Sequence, residues 1–191
     1  MRRLLGEGGT SRVYLADDPH LERPVAIKWL KTGAGSGLNE ARLTARLSHP
    51  NIVPLYEAGV FRTSPYLVFA YVEGETLREL RDREGPMPVT RALPLFLSVL
   101  DGVAGAHARG VLHLDLSPAN VIVDRAGIPR VMDFGQARLV AATLPGGASD
   151  VVVGTPRYMS PEHFRGEPLT ARSDVYALGL ILFEILTGQS L

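Results

Sequence analysis

His113-Leu114-Asp115-Leu116-Ser117-Pro118-Ala119-Asn120, followed after twelve residues by Asp133-Phe134-Gly135, is the stretch that decides how this chain folds. Strand fragments frame it: Val111-Leu112 leads in, and Val121-Ile122-Val123 and Arg130-Val131-Met132 bracket a turn at Asp124 to Pro129. Taken singly, the polar residues of both segments are turn and cap formers. Short motifs are permissive one at a time and specific together, so the weight lies on two of them standing in register.

Working outward, Thr76 to Arg83 predicts a charged helix and Val89 to Arg109 a long, largely apolar one closed by Gly110, with Gly85-Pro86-Met87-Pro88 between them. Beyond the decisive stretch, Asp133 to Pro161 has no convincing periodicity and contains Pro145-Gly146-Gly147; so long a loop in a compact domain signals function or mobility. Asp174 to Thr187 reads as a buried helix. Toward the N-terminus, Leu4-Leu5, Val13 to Ala16 and Val25 to Leu30 are β-prone runs cut by glycine and Asp-Pro turns, predicting three antiparallel strands. Gly33 to Gly37 is a flexible break. Leu38, Leu43 and Leu47 with Glu40 and Arg42 then predict a short helix ending near Ser48-His49-Pro50, and Ile52 to Val60 and Tyr66 to Val72 two more strands. The fold class expected is α+β, a small antiparallel β part with one helix followed by a mainly helical part.

Composition narrows the function classes. With 20 Lys plus Arg against 20 Asp plus Glu there is no charge excess to draw nucleic acid or an anionic membrane, so any phosphate binding must come from local geometry. The absence of cysteine excludes disulfides, thiolate metal sites and thiol catalysis, and a cytoplasmic location is the expectation. The longest apolar stretch, Ala177 to Leu186, is broken by Glu184 and falls far short of a membrane span; Gly6-Glu7-Gly8-Gly9 ends the apolar run after Arg2-Arg3 before it can serve as an export signal. No internal repeat is present.

Candidate chemistry begins at Leu5-Gly6-Glu7-Gly8-Gly9-Thr10-Ser11-Arg12-Val13, where glycines between strands let backbone amides approach a phosphate, although a plain hairpin reads the same way. One strand later comes Val25-Ala26-Ile27-Lys28, with Glu40 on the next helix able to fix the ammonium group by an ion pair. Together with the His113–Asn120 and Asp133–Gly135 segments, these runs strongly resemble the eukaryotic-type (Hanks-type) serine/threonine protein kinase catalytic domain, in family order. Gly154-Thr155-Pro156-Arg157-Tyr158-Met159-Ser160-Pro161-Glu162 and Ser173-Asp174-Val175-Tyr176-Ala177-Leu178-Gly179 match it too, so the resemblance spans the chain, and the Ala, Gly, Arg and Leu usage gives it a bacterial character.

The resemblance implies a two-lobed kinase domain over residues 1–191, with the small lobe and hinge at 1–72 and a partial large lobe at 73–191. It implies Mg2+ and ATP as cofactors and protein serine or threonine hydroxyls as acceptors. Asp115 would be the catalytic base, Asn120 and Asp133 the metal ligands, and Lys28 with Glu40 the pair that meets the nucleotide phosphates. ATP would lie against Gly6, Glu7, Gly8, Gly9, Val13, Ala26 and Lys28, with Phe69 behind the adenine and backbone groups of Ala70 and Val72 at its edge. For Phe69 and Val72, core packing is an equally natural description. Asp133 to Glu162 would be the activation segment, with Thr155 in the part that docks substrate, and Asp174 would brace the catalytic loop.

Several residues depart from the family pattern. Ser117 stands where a lysine usually touches the transferred phosphate, which removes charge from the transition state and leads to the expectation that Ser117 limits the rate. Leu114 replaces the arginine that in many relatives pairs with a phosphorylated activation segment, so that form of control is not expected. Ser11 replaces the third loop glycine, and the stretch from Lys28 to Glu40 is short, suggesting an abbreviated helix. The chain stops soon after the helix near Asp174, so a C-terminally truncated domain is expected, lacking the arginine that usually pairs with the glutamate at position 162 and exposing the apolar helix surface. Two other readings stay open: a small-molecule phosphotransferase, whose loop His113-Leu114-Asp115 with Asn120 would also satisfy, and a pseudokinase that binds nucleotide without efficient transfer.

Overall fold

Short β-prone runs separated by glycine and Asp-Pro turns form, in the computed structural model, one five-stranded antiparallel sheet of order β1-β2-β3-β5-β4. Its strands are β1 (Arg3–Glu7), β2 (Ser11–Asp18), β3 (Arg23–Leu30), β4 (Leu55–Phe61) and β5 (Ser64–Ala70). The structure describes residues 1–31, 35–139 and 155–189, with 35–38 and 136 in backbone only; Gly33, Pro145-Gly146-Gly147 and Gly154 of the sequence reading lie outside the described residues. The helix α1 (Gly35–Thr44) packs on β4 and β5. It begins inside the glycine-rich span that the sequence presents as a break. Lys28 on β3 pairs in register with Val13 of β2 and Leu67 of β5.

By its contacts the chain forms two compact units, Met1–Ser48 with Val53–Val72, and His49–Ile52 with Glu73–Leu191. The second unit holds a three-stranded sheet, β6 (Gly74–Thr76), β8 (Val121–Asp124) and β9 (Pro129–Val131), and a two-stranded one of β7 (Val111–Leu112) and β10 (Arg138–Leu139). Around them stand α2 (Leu77–Glu84), α3 (Val89–His107), the single turn α4 (Pro161–Phe164) and α5 (Ala171–Thr187). The helices start where their caps are. Thr76 accepts from the Glu79 N–H while Glu79 accepts from the Thr76 N–H, a capping box at α2. Thr170 and Ser173 do the same for α5, which therefore begins three residues before Asp174, where the apolar pattern alone would start it.

α3 is the core helix of this unit, burying Ala92, Leu95, Phe96, Val99, Val103 and Ala106 against α5, β7 and β9. Among the described residues it, rather than the Ala177–Leu186 stretch, is the helix long and apolar enough to cross a membrane by length and composition; one face of it is packed in the core, while Val89, Leu93 and Leu97 are exposed. Two of its glycines form a notch. A Cβ on Gly102 would lie 2.7 Å from the Asn51 carbonyl oxygen, and one on Gly105 2.8 Å from the His49 ring, so residues 49–52 sit directly on the helix.

That seat corrects the expected strand from Ile52 to Val60. Ile52 bridges to Val131, Asn51 donates to the Pro129 carbonyl at 2.9 Å, and Pro54, which has no N–H for a ladder, delays β4 to Leu55. β5 likewise ends at Ala70, leaving Val72 outside the sheet, and the strand expected at Arg130 to Met132 is shifted by one residue to Pro129–Val131. β6 and β10 were not readable, because runs of three and two residues show no alternation. β10 also places a strand inside the stretch from Asp133 to Pro161 that the sequence presents as loop.

Candidate active site

In the second unit, one buried carboxylate organises the loop between β7 and β8. Asp174 of α5 accepts the backbone N–H groups of His113 and Leu114, each at 2.9 Å, and its Oδ2 lies 2.7 Å from His107 Nε2 at the end of α3. Burial alone would push the Asp174 carboxyl up, and it is outweighed by the His107 bond, the nearby His113 and the two backbone donors, which together hold it below the usual carboxylate value. Those bonds support an awkward backbone. Leu114 has φ 64°, a left-handed conformation that costs a side chain with Cβ about 1–2 kcal/mol, and its side chain is locked in an apolar cluster with Leu112 and Leu169.

The next residue, Asp115, is the expected base. Its Oδ1 accepts two bonds from Thr155, from the N–H at 2.8 Å and from Oγ1 at 2.9 Å. Asn120, in the 3-10 turn Pro118–Asn120, donates Nδ2 to the Asp115 carbonyl at 2.7 Å, leaving its own Oδ1 as the atom available to a cation. Met132 N–H returns to the Asn120 carbonyl at 2.9 Å, tying that turn to the approach of Asp133. Asp133 is exposed and left-handed at φ 64°, while Phe134 beside it is buried, its ring centroid 4.5 Å from that of His113. Asp115 N–H donates to His113 Nδ1 at 3.3 Å, which assigns the ring proton to Nε2, donated to the Met132 carbonyl at 3.1 Å.

Asn120 and Asp133 are hard oxygen donors of the kind a small divalent cation takes, one carboxylate and one amide oxygen with room for phosphate oxygens to complete the shell. No cluster of three or more His, Cys, Asp or Glu that could hold a metal exists among the described residues.

Around the 3-10 turn Pro156–Tyr158, the expected docking residues take specific partners. Tyr158 is buried, donates its hydroxyl to Glu184 Oε1 at 2.9 Å, and has its pKa pushed up to about 12 by burial first and then by that bond. Glu184 is fully buried and also receives Arg81 of α2. Glu162 accepts from Ser173 Oγ at 2.7 Å, so its carboxylate has a partner within the chain without an arginine. Ser117, which stands where the family usually has a lysine, is buried at 1% exposure.

The first unit carries the other predicted residues. Lys28 Nζ lies 2.8 Å from Glu40 Oε1, both side chains almost without solvent access, so the expected ion pair is formed. Lys28 and Lys31 are the two lysines of the chain, every other basic side chain apart from histidine being arginine. The turn between β1 and β2 closes with Gly8 N–H on the Ser11 carbonyl at 2.9 Å, and Glu7 is gripped by Lys31 and Arg12, each at 2.9 Å. Those bonds hold the Glu7 carboxyl below its usual value. A Cβ added at Gly6 or Gly9 would meet nothing within 4 Å, and one at Gly8 only the Ser11 carbonyl at 4.0 Å. The chain's own packing leaves space beside the backbone of this exposed turn. Val13, Ala26, Phe69 and Ala70 are half-buried along β2, β3 and the end of β5, and Val72, just past that strand, is half-buried too.

Sequence reasoning gave no role to His107 or Arg81, and quoted Tyr158, Ser173 and Glu184 without reading the partners they take. The signal for Glu184 was present, a lone carboxylate interrupting an apolar run; for the rest the contacts are too distant in sequence to read.

A family profile described as protein kinase domain matches residues 1–191. The chain is 40% identical over 197 residues to the serine/threonine-protein kinase PknB of Mycobacterium leprae, an alignment that covers 97% of this chain and 32% of that protein. It is 40% identical over 200 residues to PknB of Mycobacterium tuberculosis, with the same coverage, and 39% identical over 194 residues to the serine/threonine-protein kinase PrkC of Bacillus subtilis, covering 98% of this chain and 30% of PrkC. The chain thus spans about a third of the length of the curated relatives it matches.

Proposed function

The chain belongs to the protein kinase family, and on that premise we propose that it transfers the γ-phosphoryl group of ATP to serine and threonine hydroxyls of proteins. Members of the family use ATP and a divalent metal; we take the metal to be magnesium, for which the oxygen donors of Asn120 and Asp133 are suited. The observation that carries the reading is the pair of hydrogen bonds from Thr155 to Asp115 Oδ1, which leaves Oδ2, approached among the described residues only by Asn120 Nδ2 at 3.5 Å, for the acceptor. Oδ2 would take the proton of the attacking hydroxyl, Asp174 and Asn120 keeping its loop in place. When bound, the metal would neutralise charge on the phosphates. Lys28, oriented by Glu40, would hold a phosphate oxygen, and the Gly6–Gly9 amides would line the rest. We further propose a cytoplasmic location for this domain, supported by a cysteine-free sequence and a nucleotide cosubstrate.

The full natural chain incubated with γ-labelled ATP, magnesium and a mixture of proteins should yield phosphoserine or phosphothreonine. Phosphotyrosine as the main product, or label only on a small alcohol, would overturn the assignment.

A further inference from the structure

Within the second unit, carboxylates and arginines near the Pro156–Tyr158 turn are treated differently. Glu184 is buried and taken up by Tyr158 and Arg81. Glu162 accepts from Ser173, Asp82 pairs with Arg81, and Glu79 closes on Thr76. Glu75 and Glu84 pair with Arg83 and Arg91. Glu167 is exposed without a side-chain partner among the described residues, but it stands two positions from Arg165, which also lacks one. Nearly all the negative charge of this region is therefore consumed internally.

The exposed arginines of this unit without a side-chain hydrogen bond or ion pair among the described residues are Arg78, Arg157, Arg165 and Arg172, and two of them, Arg78 on α2 and Arg157 in the turn, are tied to Tyr158. Arg78 stands one helical turn before Arg81, on the same side of α2, and Arg81 reaches Glu184, which holds Tyr158. Its charge acts on the Tyr158 hydroxyl, opposing the larger effects of burial and of Glu184. Arg157 adjoins Tyr158 and is two residues from Thr155, which grips Asp115. Arg157 thus stands in the turn next to the residue that holds Asp115, and Arg78 is near enough to Tyr158 of the same turn for its charge to act there.

We infer that Arg78 and Arg157 select acidic protein segments, pairing with carboxylates close in sequence to the phosphorylated serine or threonine. This rests on the kinase activity proposed above. Guanidinium forks match carboxylates in two-point geometry, and at a surface each such pair is worth up to about fivefold in affinity.

The test is a set of peptides with one central threonine flanked by Glu, Gln or Arg, assayed for kcat/KM with the full natural chain. The Glu series should exceed the Gln series by about five- to twentyfold, mostly through peptide KM, with the advantage shrinking in high salt. Arg78→Glu with Arg157→Glu should reverse the order, favouring the Arg series, while Arg78→Lys with Arg157→Lys keeps it and the KM for ATP stays within about twofold, a split that structural damage would not produce. Equal rates across the wild-type series would overturn the inference and leave the kinase reading standing. Phosphorylation of none of the peptides or proteins would instead remove the reading beneath it, and the inference with it. The wild-type peptide series is decisive even if the reversed variant fails to fold.

Discussion

Asp115 is a carboxylate with one oxygen held by Thr155 and the other only weakly approached by Asn120, and that asymmetry sets what its neighbours should do. Asp115→Asn should lower kcat by at least about a hundredfold while leaving nucleotide affinity within a few-fold, because a base acts in the transition state; a matching loss of ATP affinity in calorimetry would contradict the role. Thr155→Val keeps the backbone bond and loses the hydroxyl one, so it should lower kcat more than the KM for ATP, with Thr155→Ser restoring most of the rate. Ser117→Lys should fail to accelerate the enzyme, since position 117 is buried and a lysine there must displace its surroundings, at about 1–3 kcal/mol; a faster variant with an unchanged Tm would refute this. Asp115, Asn120 and Asp133 were picked out through the resemblance of their two segments to the family, and the bond of Asn120 to the Asp115 carbonyl spans only five positions of one such segment. The hold of Thr155 on Asp115 was not legible, because forty positions separate them and only the folded chain joins them.

At the scale of elements, α5 is fastened by its first turn. Ser173 receives the Thr170 N–H and donates to Glu162, so Ser173→Ala removes a cap and a carboxylate's partner together, at about 1–2 kcal/mol of unfolding free energy in urea titration. Asp174→Ala should be worse, about 3 kcal/mol or more, because two backbone donors and His107 lose a common acceptor. A Ser173→Ala loss as large as that of Asp174→Ala would show that the loop brace is not what α5 chiefly supplies. Strands with clear turn signals and helices with long apolar periods were readable at this scale. Boundaries were not, where a cap three residues upstream or a proline without an N–H decided them, as at Thr170 and Pro54.

Across the whole molecule, acid should act in two stages. Burial first, and then the charge of Arg138, hold the His163 pKa below its ordinary 6.5, so the fold favours its neutral form and loses that contribution as pH falls below 6.5. The carboxyls of Asp174, Glu162 and Asp124 are held below their ordinary 3.8, 4.5 and 3.8; their contribution is fully present above those values and is lost as pH falls through the lowered ones. A melting profile against pH should therefore decline gently below 6.5 and steeply below about 4, with His163→Gln removing only the upper step. Magnesium-ATP at a hundred times its Kd should add about 2.7 kcal/mol of stability to the wild type and little to Asp133→Ala; equal gains would dismiss Asp133 as a ligand. The assignment of His49–Ile52 to the second unit was beyond sequence reading, since it depends on two glycines of α3 that no local pattern connects to it. The pairing of Lys28 with Glu40 has a practical corollary in a chain with two lysines. Amine-directed acylating reagents in solution should modify Lys31 and the N-terminal amine and pass over the enclosed Lys28, whereas a nucleotide bearing an acyl phosphate should mark Lys28 first, so that peptide mass mapping gives a near-binary report of nucleotide occupancy without any phosphate being transferred.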